Sequence, residues 1–302
     1  MTLNELRFIV AVAQERNFRR AAEKSFISQP ALSLAIQKLE EELGIKIFER
    51  GKGEVTITAI GNAVIEQAQR VLEEAERLRE MAKQGSNQLA APLRIGVIHS
   101  VAPYLLPDLI PALKEIAPEL SLEIEENITA NLDVLLRNGT LDVIVIALPF
   151  GDSGILTQAL YDETFEVVVN SKHAWAGLQS INAQDLAGEK VLLLDSGHCF
   201  SNQVAEACPD LNRKTVDTQK GTSLETIRNM VASGLGITVL PASANSPRYH
   251  SPLLKVIPFA NPAPSRRIAL AWRKSFARTQ AIEVLIRAVA QTRIIGIHHL
   301  PG

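Results

Sequence analysis

NFRRAAEKSFISQPALSLAIQKLEEELG, residues 17–44, predicts two helices joined by a tight turn. Asn17 suits the N-cap of the first helix, and Ser28 suits that of the second, which has Pro30 in its first turn and Gly44 at its end. Apolar residues of the second helix recur at spacings of three and four, which predicts one buried face: Leu32, Ile36, Leu39 and Leu43. The arrangement is a candidate helix-turn-helix.

A second face of the same helix carries the polar side chains of Gln29, Ser33 and Gln37 at spacings of four. Such groups suit base edges in a major groove, and the N-terminal end of a helix favours phosphate. The stretch IKIFERGKGEVTITAIG (45–61) predicts two short strands, with Arg50 in a basic wing. A small helical domain with a solvated face would show much the same pattern, so spacing alone leaves both interpretations open.

Helices are also predicted on either side of this unit. LNELRFIVAVAQER (3–16) is amphipathic with a helical period, and one long helix is expected from Thr58 to about Lys83. Apolar residues of the long helix follow a heptad spacing that is typical of a dimerising coiled coil: Val64, Ala68, Val71, Ala75, Leu78 and Ala82. GSNQLAAP (85–92) then reads as a hinge.

Beyond the hinge, candidate strands alternate with candidate helices, which favours parallel sheets covered on both faces and two lobes with a cleft between them. Open parallel sheets bind ligands beyond the carboxyl ends of their strands, which points to Ser100 after the first strand and Thr129 after the second. Either hydroxyl could equally be a plain helix cap. The candidate strands are LRIGVI, SLEIEE, LDVIVIAL, FEVVVN, KVLLLD, GITVLP and RIALAW.

Both cysteines of the chain, Cys199 and Cys208, lie in GHCFSNQVAEAC (197–208). The 302 residues are 46% apolar, enough for a sizeable core, and the net charge of −2 neither indicates nor excludes a nucleic-acid partner. The sequence shows neither an apolar run of roughly 18 residues nor the pattern of a signal peptide. We therefore expect a cytoplasmic protein that has no contact with membranes. In a reducing compartment a structural disulfide is a weak interpretation of Cys199 and Cys208. The spacing of the cysteines and histidines does not match that of a zinc site.

FRRAAEKSFISQPALSLAIQKLEEELGIKIFER followed by TITAIG closely resembles the N-terminal domain of LysR-type transcriptional regulators. The order of winged helix-turn-helix, linker helix and two-lobed domain also matches that family along the whole chain. Other stretches resemble its hydrogen peroxide sensors: PYLLP (103–107), LAGEK (186–190), GHC with a second cysteine nine residues on, TSLETIRNMVASGLGITVLP (222–241) and RRIAL (266–270).

The resemblance implies four segments. They are a mainly α-helical winged helix-turn-helix domain (1–58), a dimerising linker helix (59–84), the hinge (85–92) and an α/β regulatory domain (93–302) like the two-lobed periplasmic binding proteins. Within the regulatory domain, lobe I would comprise about 93–163 and 269–302, and lobe II about 164–268.

The resemblance also implies roles for individual residues. Peroxide would oxidise Cys199, and Cys208 would resolve the product into a reversible disulfide. The peroxide pocket would be lined by Ser100, Thr129, His198 and Arg266. Ser100 departs from the threonine expected at its position, which keeps the hydroxyl but changes the shape of the pocket. The DNA-contacting residues would be Ser28, Gln29, Pro30, Ser33 and Arg50, whereas Leu34 replaces a polar or basic residue and is assigned no contact.

The two thiols are predicted to differ in reactivity. A helix N-terminus, His198 and Arg266 would each favour the thiolate at Cys199, whereas the helix dipole acts the other way at Cys208. If the segment between the two cysteines is continuously helical, their Cα atoms lie roughly 13 Å apart. A disulfide tolerates about 4.4 to 6.8 Å between Cα atoms, so the helix must partly unwind before the bond can form.

Alternative functions remain open beside the peroxide sensor. One is a LysR-type regulator that answers a small metabolite in the cleft, and another is a thiol peroxidase, against which the DNA-binding pattern argues. Expected partners of the sensor are double-stranded promoter DNA, hydrogen peroxide, RNA polymerase and a cellular thiol reductant. The linker helix indicates a dimer and the resemblance a tetramer. No cofactor or metal is expected.

Overall fold

The computed structural model describes residues 1–50, 55–82, 88–195, 197–209, 211 and 220–300, with the side chains of residues 50, 79–82 and 220 outside that description. The chain forms two compact units. One comprises Met1–Ser86 and Ser275–Ala277, and the other Asn87–Lys274 and Arg278–Gly302. Within the described residues, no helix is both long enough and apolar enough to cross a bilayer.

The first unit is a helical domain with a two-stranded antiparallel sheet. Its elements are α1 (Leu3–Glu15), α2 (Phe18–Lys24), α3 (Gln29–Leu43), β1 (Phe48–Arg50), β2 (Val55–Ile57) and α4 (Ala59–Ala82). The side chain of Asn17 accepts hydrogen bonds from the N–H groups of Arg19 and Arg20, and Ser28 caps α3. Gly44 ends α3 in the left-handed region with φ of 67°, so the predicted ends of both helices are confirmed.

The core of the first unit uses the predicted face of α3. Leu32, Ile36 and Leu39 are fully buried, but Leu43 is 38% exposed because the helix ends directly after it. Glu40 is buried as well, and its carboxylate accepts hydrogen bonds from the N–H groups of Ile47 (2.8 Å) and Phe48 (3.1 Å). This carboxylate therefore fixes the start of the small sheet against the end of α3.

The apolar stripe of α4 is divided between two environments. Its first turns pack against the core of their own unit through Val64, Ile65, Ala68 and Leu72. Further along, Val71 is 36% exposed and Leu78 is 69% exposed, and the side chain of Ala82 lies outside the described residues. The first half of the predicted stripe is therefore buried within its own unit, because α1 packs on it.

The second unit contains the remaining elements. They are β3 (Leu93–Ile98), α5 (Ala102–Ile116), β4 (Leu122–Asn127), α6 (Thr129–Arg137), β5 (Val143–Ala147), β6 (Ile155–Asn170), β7 (Val191–Leu194), α7 (Cys199–Ala207), β8 (Lys220–Gly221), α8 (Leu224–Ala232), β9 (Ile237–Pro241), β10 (Leu254–Pro258), β11 (Ser265–Arg273), α9 (Thr279–Ala290) and β12 (Ile297–His299).

The strands of this unit form a mixed sheet in the order β4-β3-β5-β11-β6-β9-β7-β8, with β10 and β12 also paired to β6. Pairs among β3, β4 and β5 and among β7, β8 and β9 are parallel, whereas every pair that involves β6 or β11 is antiparallel. The prediction of parallel sheets therefore holds within each group of strands and is wrong at the strands that join them.

One long strand, β6, explains this topology. Its residues 155–164 pair with β11, and its residues 165–168 pair with β9. Because β6 runs through both groups of strands, it carries the chain from one to the other without a crossover helix. The strand that pairs with β6 changes between Thr164 and Phe165. This change lies beside the lobe boundary at 163–164 that the family resemblance implies.

Candidate functional site

The two cysteines lie at opposite ends of one short helix. Cys199 is the first residue of α7 and is partly exposed, whereas Cys208 is the C-cap and only 2% exposed. Both thiols are free. Because α7 is continuous from Cys199 to Ala207, the helical rise places the two Cα atoms about 13 Å apart. The geometry required for a disulfide is therefore absent while α7 is intact.

Burial distinguishes Cys208 chemically. Its side chain belongs to an apolar cluster that includes Phe200, Val204 and Leu211. Desolvation in this cluster raises the pKa of the Cys208 thiol from 9.0 to about 11. Cys208 is therefore protonated at neutral pH and is a poor nucleophile while it stays buried, since the thiolate is the attacking form.

The loop ahead of α7 lies close to the end of β4 through Gly197. Gly197 adopts φ of 131°, a conformation that disfavours any side chain, and a Cβ there would lie 3.8 Å from Cδ1 of Ile128. The side-chain hydroxyl of Ser201 donates to the carbonyl oxygen of Leu194 at 2.7 Å, which ties the first turn of α7 to β7. The loop before α6 and the loop before α7 are thus neighbours.

His198 is the N-cap of α7 and packs against a second histidine. Its ring centroid lies 5.4 Å from that of His99, whose Nδ1 is 2.9 Å from a carboxylate oxygen of Glu126. Burial, and after it the charge of His99, lowers the pKa of His198. The neutral ring is therefore the favoured form of His198 at neutral pH.

Arg266 is buried and bonds to two neighbouring residues, Glu163 and Ser100. Its Nε lies 2.8 Å from Oε2 of Glu163, and its two terminal nitrogens donate to the Ser100 hydroxyl (2.7 Å) and carbonyl oxygen (2.9 Å). The guanidinium carbon also lies 4.9 Å from the ring centroid of Phe200, the residue after Cys199. Arg266 thus lies next to the first turn of α7. Its charge is balanced by the carboxylate of Glu163, and among the described residues no hydrogen bond joins Arg266 to Cys199.

Neither Ser100 nor Thr129 is a helix cap, which rules out the alternative interpretation of these two hydroxyls. Val101 is the N-cap of α5 and Ile128 that of α6, so Thr129 is the first helical residue. Ser100 instead binds Arg266, and the hydroxyl of Thr129 is buried without a hydrogen-bond partner among the described residues. A buried unpartnered hydroxyl is a site where a small polar molecule can bind.

The sequence-based prediction omitted three residues around these groups. Gln203 lies one turn after Cys199, and its Oε1 is buried without a partner among the described residues. Helical spacing from Cys199 would have found it. His99 follows β3 directly, a position that the rule for strand ends also indicates. Glu163 had no such signal, since it lies 103 residues from Arg266 in the chain.

The predicted DNA-contacting residues lie around the start of α3. Gln29 and Pro30 are exposed and Ser33 is partly exposed, whereas the oxygen of Ser28 accepts the N–H of Ala31 as the helix cap. The backbone of Arg50 ends β1, but its side chain and the turn at 51–54 lie outside the described residues.

A surface depression and the distribution of metal-ligating side chains concern two other kinds of site. An open depression in the second unit is lined by Leu148, Pro149, Asp162 and Arg267 among others, but small-metabolite sites enclose most of the ligand surface. Within the part of the chain that the structure describes, no group of three or more His, Cys, Asp or Glu side chains could hold a metal ion.

Comparison with known proteins adds independent evidence. The chain matches the LysR substrate binding domain over residues 86–293, and the bacterial regulatory helix-turn-helix protein of the lysR family over residues 3–62. The DNA-binding transcriptional dual regulator OxyR of Escherichia coli K12 is 38% identical over 289 residues, which cover 96% of this chain and 95% of that protein.

Solved structures agree with the sequence matches. A full-length OxyR from Pseudomonas aeruginosa, a cysteine-to-aspartate variant, is 48% identical with a TM-score of 0.85, covering 100% of this chain and 99% of that one. A cysteine-to-serine mutant of Corynebacterium glutamicum OxyR with H2O2 bound is 35% identical with a TM-score of 0.64, covering 95% and 91%. The chain belongs to the LysR family of bacterial DNA-binding transcription regulators, and within that family it resembles OxyR.

Proposed function

We propose that this regulator senses hydrogen peroxide through a reversible disulfide between Cys199 and Cys208, and that the disulfide changes how it binds and activates promoters of oxidative-stress defence genes. The names of its relatives support the oxidant, since one solved relative holds H2O2 and others are described as hydrogen peroxide-inducible genes activators. The observation that carries the proposal is the placement of two chemically different free thiols at the two ends of α7.

The first step is attack of the Cys199 thiolate on one oxygen of hydrogen peroxide. The S–O bond forms as the O–O bond breaks, and the departing hydroxide takes up a proton to leave as water, so that Cys199 becomes a sulfenic acid. We assign Ser100, Thr129, His198 and Arg266 to the peroxide pocket. The unpartnered oxygens of Thr129 and Gln203 add two groups that can hydrogen-bond to peroxide.

The second step joins the two sulfur atoms. Cys208 gives up its proton and attacks the sulfenic sulfur. The S–S bond forms as the S–O bond breaks, and the hydroxyl group leaves with that proton as a second molecule of water. A cellular thiol reductant restores both thiols by exchange. Because Cys208 is buried at the far end of α7, this step requires the helix to unwind and Cys208 to leave its apolar cluster.

Opening α7 costs free energy. Exposing one buried side chain such as Phe200 or Val204 costs about 1.5 to 3 kcal/mol. The oxidised form must therefore repack the apolar side chains that α7 buries.

The proposed switch acts through DNA. We propose that the protein is cytoplasmic, contacts promoter DNA through Ser28, Gln29, Pro30, Ser33 and Arg50, and recruits RNA polymerase there. It would dimerise through α4 and form a homotetramer. A repeated or palindromic DNA site is expected from such symmetry.

Thiol counting and DNase footprinting test the proposal on the wild type, Cys199→Ser and Cys208→Ser, each reduced and peroxide-treated. The wild type should lose two thiols and change its footprint, and neither variant should change its footprint. An unchanged footprint in the peroxide-treated wild type would reject peroxide sensing and favour a metabolite regulator. A full footprint change in Cys208→Ser would show that sulfenic acid alone is the signal.

A further inference from the structure

The turn between α2 and α3 exposes a large aromatic side chain. Phe26 is 95% exposed and adopts φ of 54°. The N–H of Phe26 donates to the carbonyl of Glu23 and that of Ile27 to the carbonyl of Ala22, both at 3.1 Å. This is the Schellman arrangement that ends many helices, and its left-handed position, here Phe26, is usually glycine.

The side chain of Phe26 is unfavourable for the folded state. A bulky residue in the left-handed region is strained, and a phenyl ring in water contributes nothing to the core. Glycine or asparagine would close the same turn at less cost. An exposed aromatic ring at a strained backbone position therefore indicates a role in binding a partner and not in stabilising the domain.

A second exposed apolar residue lies on α3. Leu34 is 63% exposed, and it follows the exposed Pro30 by four residues and the exposed Ala31 by three. Residues at these spacings are neighbours on a helix. Leu34 is also three residues before Gln37, so this apolar stripe borders the polar line that the sequence assigned to DNA. Lys38, exposed four residues after Leu34, supplies a cation beside the stripe.

We propose that Phe26 and Leu34 form an apolar contact surface for the C5-methyl groups of thymines in the DNA site. The major groove presents the thymine methyl as its one apolar mark, and apolar side chains read it by contact. The exposed polar residues beside the stripe would read donors and acceptors of neighbouring bases. This inference rests on the DNA-binding function of the family and does not depend on peroxide sensing.

Replacing thymine by deoxyuracil tests this inference, since it removes only the methyl group. A DNA site is first selected from a random pool with the full-length wild-type protein, and each thymine is then replaced singly. Anisotropy titrations should show a roughly fourfold loss of wild-type affinity at each contacted thymine, the value expected for one buried methyl group. Leu34→Ala and Phe26→Asn should each bind more weakly and lose sensitivity to deoxyuracil at one or more positions.

Two controls separate contact from folding. Phe26→Asn keeps a residue that tolerates the left-handed region, so its melting temperature should equal or exceed that of the wild type. Leu43→Ala changes an exposed leucine at the other end of α3 and should leave both affinity and deoxyuracil sensitivity unchanged. The inference is overturned if no thymine replacement weakens wild-type binding, or if Leu34→Ala and Phe26→Asn keep the wild-type pattern of sensitivity.

Discussion

The buried thiol of Cys208 makes the stability of the protein depend on pH. Its pKa is raised by burial from 9.0 to about 11, so the folded state holds the proton more tightly than the unfolded state. The resulting stabilisation is fully present below pH 9 and is lost as pH rises toward 11.

Urea unfolding of the wild type and Cys208→Ser at pH 8 and pH 9.5 measures this effect. The free energy of unfolding of the wild type should fall by about 1 kcal/mol more than that of Cys208→Ser, because only the wild type ionises this thiol on unfolding. Equal losses in the two proteins would show that Cys208 does not titrate differently on folding.

The ion pair of Glu163 and Arg266 is predicted to stabilise the folded state. Both side chains are buried, and Glu163 also accepts the N–H of Ser243 at 3.2 Å. Glu163→Gln leaves the Arg266 charge buried without its counterion, which should lower the free energy of unfolding by about 3 to 5 kcal/mol.

The neighbouring pair provides the matched control for that substitution. Asp162 binds Arg267 with similar distances, but the Arg267 side chain is 51% exposed. Asp162→Asn should cost less than about 1 kcal/mol in the same urea experiment. Similar costs for Glu163→Gln and Asp162→Asn would contradict the role given to burial.

Sequence reasoning named the candidate site residues that carry a local signal. Cys199, Cys208 and His198 belong to one short motif, and Ser100 and Thr129 each follow a strand, of which β3 is buried and β4 is largely exposed. It did not find Glu163, because an ion pair across 103 residues leaves no periodic pattern. For the same reason it could not show that the guanidinium of Arg266 bonds to Glu163 and Ser100.

At the scale of the elements, α4 provides both a buried and an exposed surface. Ala68 is buried in its own unit, but Leu78 is 69% exposed on the later part of the helix. If that part pairs two protomers, Leu78→Glu places a charge at the seam of both helices. We expect at least about a hundredfold weaker dimerisation, from the loss of one buried leucine on each side.

Sedimentation velocity across a range of concentrations measures this change. Leu235→Glu, which alters an exposed leucine outside α4, is the control and should sediment as the wild type does. Dimerisation of Leu78→Glu at wild-type strength would contradict the assignment of this seam.

Elements with clear end signals could be predicted, and elements without them could not. The caps at Asn17, Ser28 and Gly44 placed α2 and α3 closely, because each cap satisfies backbone groups that the helix leaves unpaired. Only the last part of β6 was recognised. Its first half, residues 155–164, mixes polar and apolar residues without the continuous apolar run that marks a buried strand.

At the scale of the whole molecule, the order of segments followed from the sequence, but the direction of the joining strands did not. Alternating strands and helices predict parallel pairs locally, and these are present on both sides of β6. No local pattern shows that one strand will pair with different partners along its length. The mixed sheet therefore arises from the tertiary packing of β6 and β11.

Oxidation is proposed to join two thiols that an intact α7 keeps apart. Hydrogen exchange of the α7 backbone amides, read in the reduced and the peroxide-treated protein, measures whether the helix opens. Peptide mapping identifies the Cys199–Cys208 bond in the treated sample, and α8 (Leu224–Ala232) is the internal reference. We expect α7 to be protected when reduced and to lose protection when the disulfide forms, and peroxide-treated Cys208→Ser to keep its protection. A mapped disulfide with unchanged protection of α7 would show that the bond forms without opening the helix.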